Sequence, residues 1–268
     1  MQENHIDIIY QKNEENFLQE VKHGRSLQEK QVHELRAQLR NLFVLLHLLH
    51  SLSKGKYRPR KMIRMLAPLF ELTGKFRVAS LNVKLTQPYR SGALLSFKDK
   101  MKRQMERHRL NLQHELSDFK LKKFSRLFKE SLDVLKSLKT KRIKKQGAEH
   151  LRVLLAEVRV DIFDIDDEET LHQIRTKVRE IKVVSNFLDQ CGVKHPFAKE
   201  IARLKVTYER MNSWHDTYIL IDELEDFLED LADDKSLERT MPLIAVLKRK
   251  NLHTKRQIEK RLKVDLVM

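Results

Sequence analysis

A chain of 268 residues with only six glycines and five prolines has few places to turn. Sheets built from short strands need those two residues at their hairpins and bends. Leucine, lysine, glutamate, arginine and glutamine dominate instead, and all of them favour helix. With 41% hydrophobic residues the chain has enough apolar matter for a core. It is therefore expected to be all-α: long helices joined by short connections into a bundle-like architecture.

Local signals place the helices. Ser26-Leu27-Gln28-Glu29 has the spacing of a capping box and opens a helix running to about Ser51. The turn "SKGKYRPR" follows, and Pro59 suits the first turn of a helix to about Thr86, bent at Pro68. A loop over 87–92 leads into a long helical stretch, about 93–138, with a break near Ser117-Asp118. "KTKRIKKQG" reads as a basic connector or a helix start, and a helix over about 148–163 ends in the acidic run "DIFDIDDEE". Those carboxylates suit the start of the next helix, which Gly192 closes. Segments of about 197–232 and 237–266 complete the chain. The opening stretch "MQENHIDIIYQKNEENF" is polar, without the apolar core of a signal peptide, and is assigned no helix. A single cysteine, Cys191, excludes an intramolecular disulfide and a thiolate metal cluster. A soluble cytoplasmic protein with no membrane span is the expectation.

Charge divides the chain. Residues 1–150 hold 33 Lys/Arg against 15 Asp/Glu, whereas residues 151–268 hold 21 against 23. The first part thus carries +18 and the second −2, a field that gathers polyanions without saying where they dock.

Within this pattern one motif occurs twice. "QVHELRAQLR" (31–40) and "TLHQIRTKVR" (170–179) share the skeleton apolar-His-x-apolar-Arg-x-x-apolar-Arg at an offset of 139. "TGKFRV" (73–78) and "MNSWHD" (211–216) echo each other at 138. The common spacing implies duplication: one domain over 1–268, with a first repeat at about 5–138 and a second at about 141–268. A helix advances about 100° per residue, so with His33 as origin Arg40 lies at about −20° and Arg36 at about −60°. His47 and His50 extend the row, while Leu35, Leu39, Leu42, Leu46 and Leu49 take the opposite face. In the second copy His172, Arg175, Arg179 and Lys182 form the row, opposite Ile174, Val178, Ile181 and Leu188.

An exposed helix face ordinarily mixes signs, with Glu–Lys pairs one turn apart. The first row contains no acid. A single-sign row repels itself and calls for an anion. Guanidiniums one turn apart present forked donors to successive tetrahedral oxyanions, and a protonated histidine adds another donor. A string of phosphates satisfies such a row better than a single carboxylate. Sequence-independent contact with a nucleic-acid backbone uses the same chemistry, although no helix-turn-helix, RNP strand or zinc finger accompanies it. A scaffold that has lost its ligand is a further alternative. Metal binding is disfavoured because "HELRA" lacks a second histidine at i+4 and arginines flank the row. No glycine-rich phosphate loop or Ser/Cys–His arrangement is found, so a non-catalytic protein is expected, with no cofactor and no metal.

"VHELRAQLRNLFVLL", "LHQIRTKVREIKVVSNFL", "TGKFRV" and "MNSWHD" resemble the motifs of the CHAD family, the conserved histidine α-helical domain. Its two repeats each open with an apolar-His-x-x-Arg helix and contain a Leu-Gly-x-x-(Arg/Asn/His)-Asp turn-helix element. The resemblance implies two pseudo-symmetric helical bundles around a basic groove that binds inorganic polyphosphate without catalysis, with polyphosphate granules as a further partner. Carried onto this chain, the binding set is His33, Arg36, Arg40 and Arg77, with His172, Arg175, Arg179 and Lys182. Later-helix cations Arg103, Arg107, Arg126, Lys255 and Arg256 are additional candidates. The chain departs from the pattern at Asn41, Phe43, Val78, Glu180 and Asn212, which points to weaker binding or to binding weighted toward the first half.

Overall fold

The computed structural model describes residues 5–23, 27–89, 92–165, 167–230 and 234–266. Among them the order is α1 (His5–His23), α2 (Glu29–Leu52), α3 (Arg60–Thr86), α4 (Gly92–Asp118), α5 (Leu121–Lys136), α6 (Thr140–Asp161), a 3-10 turn (Ile162–Asp164), α7 (Glu168–Gln190), α8 (Ala198–Glu229) and α9 (Asp234–Leu266). The described residues contain no strand. The all-α reading holds, and no helix among the described residues is long and apolar enough to cross a membrane.

The sequence signals set most boundaries. The break expected near Ser117-Asp118 separates α4 from α5, and the basic segment at 139–147 is a helix start. Asp167 caps α7, its side chain accepting from the Thr170 backbone N–H at 2.6 Å. At the other end Gly192 takes φ +66°, and its N–H and that of Val193 return to Asp189 and Leu188. Ser26 lies outside the described residues. The helix begins instead at Glu29, where the Gln28 N–H donates to the Gln31 side chain at 2.8 Å.

α1 was not expected from the sequence. It buries Ile6, Tyr10, Phe17 and Val21, and the Tyr10 ring stacks on Phe128 of α5 with centroids 4.8 Å apart. That polar-looking segment supplies a wall of the core. α2 packs on α1, α3, α6 and α7; α7 packs on α6 and α8; α3 also touches α8. The leucine face of α2 and the Leu171–Ile174–Val178–Ile181 face of α7 enter the same core. The long pairs α3–α4 and α8–α9 extend beyond it, and a second apolar cluster joins them where Phe97 of α4 meets Phe227 of α8 at 5.4 Å. The two skeleton helices therefore lie against one another under the arch formed by α3 and α8.

A candidate anion-binding groove

Both histidine–arginine rows turn away from the shared core toward α3 and α8. His33 is exposed at a cleft of about 220 Å³ that Arg77, Ser80 and Lys84 of α3 also line. Glu29 closes its edge, bridging Lys84 at 2.6 Å and accepting from Ser80. One turn on, Arg36 is fixed: Nη1 donates to the Phe70 carbonyl at 2.8 Å, and the guanidinium lies over the Phe70 ring at 4.5 Å. Gly74 permits that approach, because a Cβ there would stand 2.8 Å from Arg36 Nη1.

The second row is built alike. Arg175 is buried, and its Nε donates to Asn212 Oδ1 at 3.0 Å. Arg36 also points at Thr73, and both pairs, Arg36–Thr73 and Arg175–Asn212, span 37 residues. Phe43 meets Phe70 edge to face at 5.2 Å, while Lys182 bridges Glu209 at 3.2 Å; each of these pairs spans 27 residues. His172 faces His215 with ring centroids 4.9 Å apart. Across the groove Arg77 Nη2 donates to Asp216 Oδ1 at 2.8 Å, joining α3 to α8 at positions 139 apart.

Six of the eight expected residues thus have identified neighbours in the groove: His33, Arg36, Arg77, His172, Arg175 and Lys182. The other two, Arg40 and Arg179, are half-buried and have no hydrogen-bond or ion-pair partner among the described residues. They nevertheless belong to the same cluster, because Arg179 is the strongest charge acting on Arg40. Burial, reinforced by Arg40, Arg77, Arg179 and Arg175, pulls the Arg36 guanidinium down to about 10. Arg175 falls to about 10 chiefly through burial. Burial and the neighbouring arginines also hold His33 and His172 below the ordinary histidine range. In His172 the facing His215 is the largest charge effect. The protonated state expected of phosphate holders belongs to the bound form; in the empty groove burial and the same-sign neighbours oppose it.

Three further expectations change. "TGKFRV" and "MNSWHD" are not turns: both lie within the uninterrupted helices α3 and α8, where they line the groove. His50 does not extend the row, because Nδ1 pairs with the Tyr57 carbonyl at 2.6 Å in the turn after α2. Arg126 lies on α5, whose main packing partners are α1, α2 and α3 rather than α7 or α8. Reading the sequence also overlooked Tyr208, which is buried beneath Lys182 with Nζ 4.0 Å from the ring and acts on both Arg40 and Arg175. Tyr208 had no motif to mark it. Thr73 and Asn212, by contrast, lie in the quoted motifs and become visible once each arginine is paired with the residue 37 positions on.

Among the described residues no three His, Cys, Asp or Glu side chains are placed to hold a metal ion. The groove is lined mainly by forked donors and recessed cations, with Asp216 facing Arg77, Glu209 on Lys182 and Glu29 at its edge. Comparison with known proteins agrees on the fold. The chain is similar to the crystal structure of the CHAD domain from the plant Ricinus communis, with a TM-score of 0.71 and 15% identity over 98% of this chain and 90% of that one. No curated protein matches it. The CHAD domain family model matches residues 10–225, a span that contains both skeleton helices, α3 and most of α8. The chain therefore belongs to the CHAD domain family.

Proposed function

We propose that this protein is a non-catalytic receptor for inorganic polyphosphate, held in the groove between α2, α7, α3 and α8. The observation that carries the reading is the pair Arg40 and Arg179, one from each skeleton helix, half-buried and unpaired beside Arg36, Arg77 and Arg175. Like charges gathered in this way raise the free energy of the empty groove. A polyanion reaching both helices relieves that repulsion at every position. Charge-assisted bonds from guanidiniums to successive phosphates, together with released counterions, give an affinity that rises with chain length and falls with salt. The matched pairs Arg36–Thr73 and Arg175–Asn212 support duplication as the origin of the two-sided groove. The free thiol of Cys191 suits a reducing cytoplasm.

The two halves are not equivalent. Phe43 stands where the 139-residue offset aligns it with Lys182, and Lys182 is itself occupied by Glu209. Arg77 is occupied by Asp216. Binding therefore centres on Arg40 and Arg179, with Arg36 and Arg175 beneath them. Titrating long-chain polyphosphate into the wild type and into Arg40→Ala/Arg179→Ala tests this. The variant is expected to lose at least tenfold in affinity, along with the rise in melting temperature that polyphosphate gives the wild type. Unchanged affinity would remove the groove from the function.

A further inference from the structure

Residues 120–145 contain eleven Lys/Arg and two acids, Glu130 and Asp133, a net of +9 in about a tenth of the chain. All eleven are exposed except Arg142, which is half-buried. None of their side chains has a hydrogen-bond or ion-pair partner among the described residues. Elsewhere exposed cations are commonly paired, as in Lys75–Glu71, Lys84–Glu29, Arg109–Glu106, Arg152–Glu149 and Lys248–Glu225. Unpaired exposed cations also occur at Lys54, Lys56, Arg58, Arg60, Lys61 and Arg64, but residues 120–145 hold more of them on one continuous surface.

The charges are also arranged. Around the axis of α5, Arg126 falls about 40° to one side of Lys122, while Lys129 and Lys136 fall about 20° and about 40° to the other. They form one stripe about 21 Å long opposite the buried Phe124, Phe128, Ser131 and Leu135, with Asp133 as its only acid. At the stripe's far end the chain turns into α6, where Lys139, Lys141, Lys144 and Lys145 continue the positive surface. Neither α5 nor α6 has an acid in its first turn. Cations there oppose the helix dipole, a placement that costs stability in the free protein and suits a bound anion. The neighbouring acids of α1 are Asp7, which feels Lys136, and Glu14, which pairs with Ser125.

This surface is separate from the groove. α5 packs on α1, α2 and α3, and the charges that act most on Arg36, Arg40 and Arg175 come from α2, α3, α7 and α8 alone. We propose that the α5–α6 stripe is a second polyanion site that holds duplex nucleic acid by its phosphate backbone, without regard to sequence. Nine of the eleven cations are lysines, point charges that follow charge density rather than phosphate geometry. Duplex DNA presents about one charge per 1.7 Å to such a row. Insertion into a membrane would need apolar side chains, and beside the stripe Leu121, at 38%, is the exposed large hydrophobic of α5. The inference does not depend on what the groove holds.

The experiment measures binding of a labelled 20-base-pair duplex by anisotropy at several salt concentrations, using the full chain. The stripe variant is Lys122→Glu/Arg126→Glu/Lys129→Glu, with Gln at the same positions as a milder form. Acids in the first turn of α5 favour that helix, and thermal melts verify that both variants fold. The stripe variant is expected to lose at least tenfold in DNA affinity and to flatten the log–log salt slope by about 3, the share of three phosphate contacts. Arg40→Ala/Arg179→Ala is expected to keep its DNA affinity. The proposal is overturned if the stripe variants bind DNA as the wild type does, or if only the groove variant loses it. It is equally overturned if the stripe binds phosphatidylserine vesicles and no DNA. Polyphosphate titration of the same variants judges the groove separately.

Discussion

Asp216 is the one carboxylate set against the arginines, and replacing it should move stability and affinity in opposite directions. Its ion pair with Arg77 is 2.8 Å long, and the two side chains are only 19% and 28% exposed. A hydrogen bond between charged groups in such a site contributes about 1–3 kcal/mol. Asp216→Asn keeps the shape and one acceptor but leaves Arg77 uncompensated beside Arg36 and Arg175. A loss of about 1–3 kcal/mol corresponds to a fall of about 2–10 °C in melting temperature for a chain of this size. For a bound polyanion the same change removes a repulsive charge. A phosphate about 8 Å away at an effective dielectric of about 20 feels roughly 2 kcal/mol, which salt reduces to about 1 kcal/mol. Affinity for polyphosphate should therefore rise about fivefold, as measured by calorimetric titration at fixed salt beside thermal melts. If Asp216→Asn loses stability and affinity together, the carboxylate orients Arg77 for the ligand, and the competition argued here is wrong.

Burial and arginine neighbours lower the pKa of His33 and His172, so each contributes stability above the unfolded histidine value that is lost as pH falls through the lowered folded value. A phosphate beside them reverses the shift. Polyphosphate binding should take up protons and strengthen between pH 8 and pH 5.5, and His33→Gln/His172→Gln should flatten that profile in titrations at the two pH values. In the core, Phe17 of α1 is fully buried against Phe119 and Phe124. Phe17→Ala should cost about 3–5 kcal/mol in denaturant unfolding, and a loss below about 1 kcal/mol would show that α1 is not part of the folded core.

The helices were legible because Gly and Pro are scarce and the leucines follow helical spacing; α2 buries the leucine face that the sequence implies. α1 escaped because its apolar residues are diluted by polar ones, although Ile6, Tyr10, Phe17 and Val21 repeat at helical intervals. The rows were legible as same-sign charge along one helix face, although Glu29 of α2 closes the edge of the first row's cleft. Their partners were not, since Tyr208 and Asp216 reach the arginines only through the contacts of α8 with α7 and α3. The motif echo at 138 aligned Gly74 with Asn212. The contacts pair Thr73 with Asn212 in role, at the same 139 offset as the skeleton helices, because each meets its arginine from the same place on the covering helix. Charge on the row favours an anion, but in the empty groove it disfavours further charge.

The central claim is that the two skeleton helices serve one site. Polyphosphate affinity, measured by calorimetric titration at two salt levels, tests it through Arg36→Ala/Arg40→Ala, Arg175→Ala/Arg179→Ala and the combined variant. A shared site predicts that each half-variant alone removes most of the affinity, and that the combined variant loses less than the sum of the two. Two losses that simply add, or half-variants that bind as the wild type does, would contradict it.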